Sequence, residues 1–375
     1  MAARILAAAA AAALMAACLS QRDASARARD GLAGVVASTG SGLTPDERAR
    51  VLAFGPWPPV AATPDDPHLA SRPEAVALGE VLFNSARLSG DGRVRCASCH
   101  EPWRGYAEGR ARALGRIEGA RNTPSVMDVS LRRTLGWDGS FDRLDAQSLR
   151  PLRDADEMGA SPAHVAALVR GDAILRMRYE AAFGSAPPPS DETVFEDVGR
   201  ALAAYEATLV SGRTPFDAWR DALAAGAADG PATAGDALAG AALRGLRLFI
   251  GRAGCASCHA GPAFSDGALH VSTTHSRRVD GSADTGRVGG TVYAFRTPTL
   301  RGVAGTAPYM HDGHVETLCD SVRPHALADP VEGGPAAAPS LDAQQRADLV
   351  AFLRVLGDAP VDAVVAGGAL APCRD

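Results

Sequence analysis

Apolar residues recur at helical spacing along most of this chain, and the alternation typical of half-buried strands is scarce. The clearest helix is predicted for residues 190–212, where two acidic residues open the first turn and the apolar positions share one face. Those apolar positions are Val194, Phe195, Val198, Leu202, Tyr205 and Leu209. A second helical pattern covers residues 161–184, and a third runs from about Leu341 to Leu356 with Ser340 as its N-cap. These patterns predict a mainly α fold with little β structure.

A six-residue phrase occurs twice, as RCASCH at Arg95–His100 and as GCASCH at Gly254–His259. A helical lead-in with the pattern GxxLF precedes both copies. Its residues are Gly79, Leu82 and Phe83 before the first copy, and Gly245, Leu248 and Phe249 before the second. The repetition of a whole unit predicts two related structural modules. Residues 224–240 and 270–297 are rich in small or polar residues, and we expect a linker and a long irregular loop there.

The first seventeen residues carry one arginine and then an apolar run that ends in small residues. The run is too short to cross a bilayer comfortably and is typical of a signal peptide, so we expect export to the periplasm. Cys18 follows directly, as at a bacterial lipoprotein cleavage site. Two interpretations stay open: a lipid anchor on Cys18, or ordinary cleavage nearby that removes this residue. Residues 18–68 are predicted to form a flexible tether and lead-in.

The composition restricts the class of protein without identifying it. The 375 residues are 46% hydrophobic and 22% charged, which is ordinary for a globular chain that is long enough for two domains. The formal net charge is −5, and basic runs are confined to short stretches. Nucleic acid is therefore excluded as the expected partner.

Seven cysteines divide into three groups. Four of them belong to the two repeated phrases, and Cys18 is the candidate lipid site. Cys319 and Cys373 remain. An oxidising compartment would allow these two to form a disulfide, and the alternative is a pair of unrelated buried thiols.

Each repeated phrase is a CxxCH motif, the attachment sequence of c-type haem. Its two thiols add to the vinyl groups of the porphyrin, and the adjacent histidine reaches the iron from the proximal side. A bare CxxC could bind zinc or form a redox pair, but two CxxCH copies in an exported chain favour haem. The predicted attachment residues are Cys96, Cys99 and His100 for one haem, and Cys255, Cys258 and His259 for the other. We expect two packed cytochrome c-like domains, residues 69–212 and 213–375.

Several motifs occur between and around the two CxxCH phrases in a fixed order. They are LFNSARLSGDGRVRCASCH, RNTPS, GWDGS, AQSLRPLRDADEMG, ALAAYEATLVSGRTPFD, DTGR and FRTPTLRGVAGTAPYMHDGHVETL. Over roughly residues 73–356, this ordered set resembles the bacterial dihaem cytochrome c peroxidases and the MauG-like dihaem enzymes. The resemblance implies a peroxide-reacting N-terminal haem and an electron-transferring C-terminal haem.

The resemblance also implies three residues around the peroxide site. Trp137, Gln147 and Glu157 stand at the family's ten-residue spacings. A carboxylate beside the iron can accept a proton from one peroxide oxygen and return it to the leaving one. Gln147 would hold the peroxide, and Trp137 would relay electrons between the haems. The alternatives are a surface glutamate, a cap-like glutamine and a core tryptophan.

The classical peroxidases of this family close the first haem with a histidine sixteen residues after the proximal one. From His100 that spacing falls on Arg116, and no histidine occurs from Glu101 to Arg121. The first haem is therefore expected to be five-coordinate or water-bound at rest, as in the MauG-like enzymes. It would react with peroxide without prior reduction.

Two residues compete as the sixth ligand of the second haem. The family's spacing of seventeen residues beyond the proline of the TAP element leads from Pro308 to His325. Met310 is the alternative ligand. Histidine in place of methionine removes a ligand that raises the reduction potential. The same resemblance implies one calcium ion, held by the Asn122 side chain and the backbone carbonyls of Thr306 and Pro308.

These inferences predict a peroxidase-type oxidoreductase. Hydrogen peroxide is its expected oxidant, and electrons would come from a small redox protein (a cytochrome c or a cupredoxin) or from an oxidisable protein substrate. The alternative from another class is a non-catalytic dihaem electron carrier, which would require two six-coordinate haems.

Overall fold

The computed structural model describes most of the chain beyond the N-terminal segment. The described residues are 42–59, 69, 71–226, 238, 240–271, 282, 284, 286–287, 294–327, 340–357 and 373, with 324–327 described through their backbone only. The signal peptide 1–17 and Cys18 lie outside them. No helix in these ranges is long and apolar enough to span a membrane.

Helices dominate the described residues, which confirms the prediction of a mainly α fold. The helices are α1 (Pro45–Leu52), α2 (Pro73–Phe83), α3 (Cys96–Cys99), α4 (Leu144–Arg153), α5 (Pro162–Gly171), α6 (Ala173–Phe183), α7 (Asp191–Glu206), α8 (Pro215–Ala224), α9 (Ala241–Ile250), α10 (Leu318–Leu327) and α11 (Ala343–Arg354). The strands β1 (Leu269–Val271) and β2 (Ala294–Arg296) form a small antiparallel sheet at the two ends of the predicted irregular loop. Short 3₁₀ turns complete the fold.

Local sequence sets the ends of several helices. The Ser190 side chain accepts a hydrogen bond from the Thr193 amide at the start of α7, which satisfies a donor that the helix cannot. Helix α11 begins later than predicted. Its N-cap is Asp342, because the carboxylate accepts a hydrogen bond from the Gln345 amide. The Asp342 amide in turn donates to the Oε1 atom of Gln345, which completes a capping box. The expected N-cap, Ser340, stands two residues too early.

Two apolar cores occupy the two halves of the chain. The first is built by α2, α5, α6 and α7 and includes Leu78, Phe195 and Leu202. The second is built by α8, α9 and α11 and includes five phenylalanines. They are Phe54, Phe216, Phe249, Phe264 and Phe352. The last buried residue of the first core is Ala204, and the second core resumes at Phe216.

The prediction of a flexible tether over residues 18–68 is wrong for residues 44–58. Helix α1 lies there and starts at a capping box between Thr44 and Glu47. Val51 and Phe54 are buried in the second core. Trp57 is buried under the guanidinium of Arg301, with 3.5 Å between the Arg301 Cζ atom and the centroid of the indole ring. This N-terminal helix therefore packs with the C-terminal half of the chain, because its apolar side chains complete that core.

The glycine of each GxxLF lead-in is required for the same structural reason. A Cβ on Gly79 would lie 2.0 Å from the Ala201 carbonyl oxygen, where α2 crosses α7. A Cβ on Gly245 would lie 1.9 Å from the Asp348 carbonyl oxygen, where α9 crosses α11. Only glycine allows either pair of helix backbones to approach so closely. The sequence repeat is thus a repeat of one helix crossing.

Cys319 and Cys373 form a disulfide, with 5.6 Å between their Cα atoms. Cys373 is buried against the second core. Of the two alternatives that the sequence left open, the structure therefore has the disulfide, which ties the end of the chain to α10.

Replacing Gly245 by alanine tests the close crossing. We expect Gly245→Ala to lower the free energy of unfolding by about 1–3 kcal/mol, because α9 and α11 must separate. Gly171→Ala is the matched control. A Cβ there meets no atom within 4 Å at the end of α5, so that variant should be neutral or more stable by up to about 1 kcal/mol. Denaturant unfolding of the haem-loaded proteins measures both, and equal losses would contradict the crossing.

Candidate haem sites

Both CxxCH phrases form a single tight helical turn, α3 in the first half and a 3₁₀ turn, Cys255–Ser257, in the second. Their four cysteines are half-buried and none of them is in a disulfide. Burial raises the pKa of the Cys99 thiol to about 12 and that of Cys255 to about 11. The sulfurs are therefore held as thiols, the form that adds across a vinyl group, and they suit covalent attachment of haem.

The two motif histidines make equivalent hydrogen bonds. The Nδ1 atom of His100 lies 3.1 Å from the Tyr106 carbonyl oxygen, and that of His259 lies 3.0 Å from the Phe264 carbonyl oxygen. Because a carbonyl only accepts, Nδ1 carries the proton in both rings and Nε2 is assigned as the iron-binding nitrogen. Burial lowers the pKa of His100 to about 4, which keeps the ring in the neutral form that a metal requires.

Buried polar atoms near His100 fit a haem with its carboxylates. Arg132 donates to the Met127 carbonyl, while its Nε atom is buried without a partner. Burial and the charge of Arg296 lower the pKa of Arg132 to about 9. Two neighbouring buried guanidiniums repel each other unless an anion lies between them. Haem propionates are anions of this kind, so Arg132 and Arg296 are the residues that would bind them.

Gln147 carries a second orphaned atom. Its Oε1 atom, on helix α4, is shielded from solvent and has no hydrogen-bond partner. A buried amide oxygen without a donor is costly, and such atoms occur where a ligand or a water completes the site. The Gln147 Oε1 atom is therefore available to a ligand or a water, and its role in holding peroxide stays a prediction.

Glu157 lies on the turn that follows α4. Its carboxylate is half-buried and forms an ion pair with Arg150 at 2.5 Å. After burial and Glu108, the charge of Glu157 is among the causes that raise the pKa of the Cys99 thiol. Glu157 therefore lies close enough to the haem-attachment turn for its charge to act on Cys99.

Arg116, the residue at the position of the family's closing histidine, is bound elsewhere. Its guanidinium pairs with Asp91 at 3.3 Å and donates to the Ala155 carbonyl at 3.0 Å. Its backbone amide donates to the Glu157 carbonyl at 3.0 Å. A guanidinium stays protonated in proteins and has no lone pair for a metal. Arg116 therefore cannot replace a histidine as an iron ligand.

Trp137 lies at the junction of the two halves. Its indole N–H donates to the Asn122 carbonyl at 2.8 Å, and its own carbonyl accepts from the Arg296 amide at 2.8 Å. The edge of the ring meets His311, whose imidazole stacks on Phe295 with 3.8 Å between centroids. Trp137 is thus half-buried between groups of both halves and is not a residue of either main core, and its position between the haems stays a prediction.

An ion-pair network holds the same junction together. The Arg121 guanidinium binds both carboxylate oxygens of Asp284, through Nε at 2.7 Å and Nη2 at 2.8 Å. Its Nη1 atom binds the Asp138 carboxylate at 2.8 Å. Asp284 is buried, so the pair is shielded from solvent on one side. Because Asp138 follows Trp137 directly, the network fixes the loop that carries the indole.

The residues expected to bind calcium meet at this junction in part. Asn122 is buried, its side-chain N–H₂ donates to the Arg110 carbonyl at 2.8 Å, and its amide donates to the His311 carbonyl. Thr306 and Pro308 lie on the segment that leads to His311. Carbonyl and amide oxygens are the donors that calcium prefers, and the calcium site stays a prediction.

The ligands proposed for the second haem lie on different elements. Met310 is half-buried in a tight turn with a left-handed backbone, φ 71°. His325 lies on the backbone of α10, and its side chain is outside the described residues. The preference for His325 over Met310 therefore stays a prediction.

Sequence reasoning missed Glu206. This residue ends α7, is buried, and its carboxylate accepts a hydrogen bond from Ser148 at 3.2 Å. Burial raises its pKa from an ordinary 4.5 to about 8. The signal was present, because Val198, Leu202 and Glu206 are four residues apart and share the buried face. Glu206 contacts the residue that follows Gln147, and its charge is among the causes that raise the pKa of the Cys96 thiol.

The fold and the two sites define a c-type cytochrome with two haems. A family model described as "Di-haem cytochrome c peroxidase" matches residues 73–224. Methylamine utilization protein MauG of Methylorubrum extorquens is 36% identical over 77% of this chain and 79% of its own. The cytochrome c551 peroxidase of Nitrosomonas europaea is 30% identical over 70% and 74%. A crystal structure of a MauG-like protein associated with microbial copper homeostasis has a TM-score of 0.64 and 29% identity, covering 82% of this chain and 97% of that one.

The chain belongs to the family of dihaem cytochrome c peroxidases and MauG proteins. It is therefore an oxidoreductase of the cytochrome c peroxidase type, and the family implies two c-type haems. The resemblance inferred from the ordered motifs is confirmed.

The pH dependence of stability tests the burial of Glu206. Because the folded protein holds this proton up to about pH 8, whereas the unfolded chain releases it near pH 4.5, stability is lost as the pH rises through that window. We expect Glu206→Gln to match the wild type near pH 4.5 and to melt a few degrees higher above about pH 8.

Glu196→Gln is the control for this comparison, since Glu196 is exposed on the same helix. Melting temperatures of the three haem-loaded proteins across the pH range provide the measurement. A parallel pH profile for wild type and Glu206→Gln would show that Glu206 is not buried as described.

Proposed function

We propose that this protein is a dihaem peroxidase that reduces hydrogen peroxide at the N-terminal haem, with electrons supplied through the C-terminal haem. The observation that carries the proposal is the orphaned Oε1 atom of Gln147, a buried acceptor that faces no protein donor. Hydrogen peroxide offers an O–H donor to such an atom. A passive electron carrier has no need of this acceptor.

The residues around the site divide the work of peroxide reduction. Cys96, Cys99 and His100 would hold the haem, which would supply the electrons for cleavage of the O–O bond. Gln147 accepts a hydrogen bond from the peroxide and orients it. Glu157 takes the proton from one peroxide oxygen and gives it to the other, which leaves as water. The ion pair with Arg150 holds the Glu157 carboxylate in place between these two steps.

The first haem is proposed to be open at rest, as in the MauG-like enzymes. Support comes from Arg116, which stands at the position of the closing histidine, cannot ligate iron and is bound to Asp91. The hydrogen bond between the Arg116 amide and the Glu157 carbonyl holds the two segments together. Peroxide would then react with the ferric protein directly.

Electrons are proposed to pass between the haems through Trp137. Its indole touches His311, and the His311–Phe295 stack extends into the C-terminal half. His259 and His325 would close the second haem on both sides, which suits electron transfer rather than ligand binding. The proposed donors are a small cytochrome c or cupredoxin, or the oxidisable side chains of a protein substrate.

Three further features belong to the same proposal. One calcium ion would bind at Asn122, Thr306 and Pro308 and brace the junction that holds Trp137. The protein would act in the periplasm after removal of residues 1–17. A lipid on Cys18 would tether it to a membrane.

Spectroscopy of the ferric protein tests the proposal. We expect electron paramagnetic resonance to show one high-spin and one low-spin haem, because only the first lacks a second strong ligand. Addition of peroxide without prior reduction should change the haem absorption spectrum within the mixing time. Two low-spin haems and an unchanged spectrum would favour the non-catalytic electron carrier.

Substitution of Glu157 tests the proton transfer. We expect Glu157→Gln to slow peroxide turnover by about a hundredfold or more, since the amide cannot shuttle the proton. Glu192→Gln is the matched control, because Glu192 of α7 forms an exposed ion pair with Arg153 of α4, the helix that also carries Arg150. Steady-state peroxide consumption measures both variants, with haem content confirmed by absorption. Full activity of Glu157→Gln would exclude this residue as the acid–base group.

A further inference from the structure

Trp103 is the one strongly exposed tryptophan of the four in this chain. Its side chain is 73% accessible to solvent, whereas Trp57 is buried under Arg301, Trp219 is buried in the second core and Trp137 is half-buried at the junction. Tryptophan is highly buried on average, because its indole ring is large and apolar. The sequence follows the first CxxCH motif immediately with EPWRG, so Trp103 stands three residues after His100.

The turn that carries Trp103 is held rigidly to the haem-binding histidine. The Arg104 and Tyr106 amides both donate to the Glu101 carbonyl, at 3.0 and 2.9 Å. The Arg104 guanidinium forms an ion pair with the Glu101 carboxylate at 3.0 Å. The Tyr106 carbonyl, in turn, accepts the hydrogen bond from Nδ1 of His100 at 3.1 Å. One hydrogen-bonded loop therefore links the exposed indole to the proximal imidazole.

The short chain separation limits the distance between these two rings. Their Cα atoms are at most about 11 Å apart even when the three residues are fully extended, and the turn is folded. Electrons move efficiently over such distances through protein. Among the side chains, indole is one of the easiest to oxidise by one electron. The loop thus offers a route from the surface to the first haem that does not pass through Trp137 or the second haem.

We propose that Trp103 is a surface redox residue, through which phenolic donors too bulky for the haem pocket deliver electrons to the first haem. This inference rests on the proposed peroxide reduction. Reduction of one hydrogen peroxide to two waters consumes two electrons and two protons. For each electron, the Trp103 indole is oxidised and releases its N–H proton to water. One phenol then returns an electron and a proton to the indole and becomes a phenoxyl radical. Two phenols are oxidised for each peroxide.

Mass spectrometry of the haem peptides tests the proposal independently of turnover. Trypsin cleaves after Arg95 and Arg104, so the peptide 96–104 carries the first haem together with Trp103. The peptide 253–277 carries the second haem and has no tryptophan, methionine or tyrosine. Peroxide added without a donor should leave oxygen on the Trp103 indole, and an added phenol should prevent it. The peptide 253–277 is the internal control.

Variants separate oxidation of the indole from mere contact with it. With 2,6-dimethoxyphenol as the probe, Trp103→Phe should lower kcat/KM about tenfold or more, because phenylalanine keeps an aromatic surface but resists oxidation. Trp103→Tyr should restore much of the rate. Ile174→Ala is the control for loss of exposed apolar surface, as Ile174 is 61% exposed on α6, and it should match the wild type.

The outcomes distinguish this inference from the proposed function. A wild-type spectrum that does not respond to peroxide would overturn both. A normal response with an unmodified peptide 96–104, or with equal phenol oxidation by wild type and Trp103→Phe, would overturn the role of Trp103 alone. Loss of haem from Trp103→Phe would be seen in its absorption, in which case the peptide experiment on the wild type decides.

Discussion

Each half of this protein is organised around the hydrogen bond from the Nδ1 atom of a CxxCH histidine to a backbone carbonyl. In both halves the carbonyl belongs to an aromatic residue with a left-handed backbone, Tyr106 with φ 59° and Phe264 with φ 49°. This conformation is unusual for a bulky side chain. It persists because the turn points the carbonyl at the imidazole while the aromatic ring packs against the nearby core. The bond selects the ring nitrogen that meets iron and fixes the angle of the imidazole.

The two halves differ in what surrounds this shared arrangement. In the second half, Phe264, whose carbonyl accepts from His259, stacks on Phe54 at 4.7 Å between centroids and is in edge contact with Phe216. In the first half, Phe83 lies 6.3 Å from His100 between centroids, and the polar atoms Gln147 Oε1 and Arg132 Nε are left without a partner. An apolar shell excludes water and suits a haem that only exchanges electrons, whereas unsatisfied polar groups suit a haem that binds a small polar molecule. The two copies of the module therefore differ in the groups that surround their CxxCH motifs.

The sequence predicted those parts of the molecule that depend on local pattern or on covalent chemistry. Helix α7 and its apolar face followed from periodicity, and haem attachment followed from CxxCH. Helix α1 was missed although Thr44–Pro45–Asp46–Glu47 has the spacing of a capping box. Only Val51 and Phe54 of that segment are fully buried in a core, and they are too few for a periodic signal. Contacts such as that between the Arg296 amide and the Trp137 carbonyl join loops far apart in the chain, and no local pattern encodes them.

The junction between the halves couples these environments. Trp137 donates its indole N–H to a carbonyl, which can accept a hydrogen bond but cannot take the proton. An electron can therefore leave the ring without the proton following it, and the indole regains its starting state when an electron returns. Trp103, whose indole is exposed to water, lacks this protection. The two tryptophans stand in opposite environments, and the physical difference suits Trp137 to reversible transfer inside the protein and Trp103 to chemistry with donors at its surface.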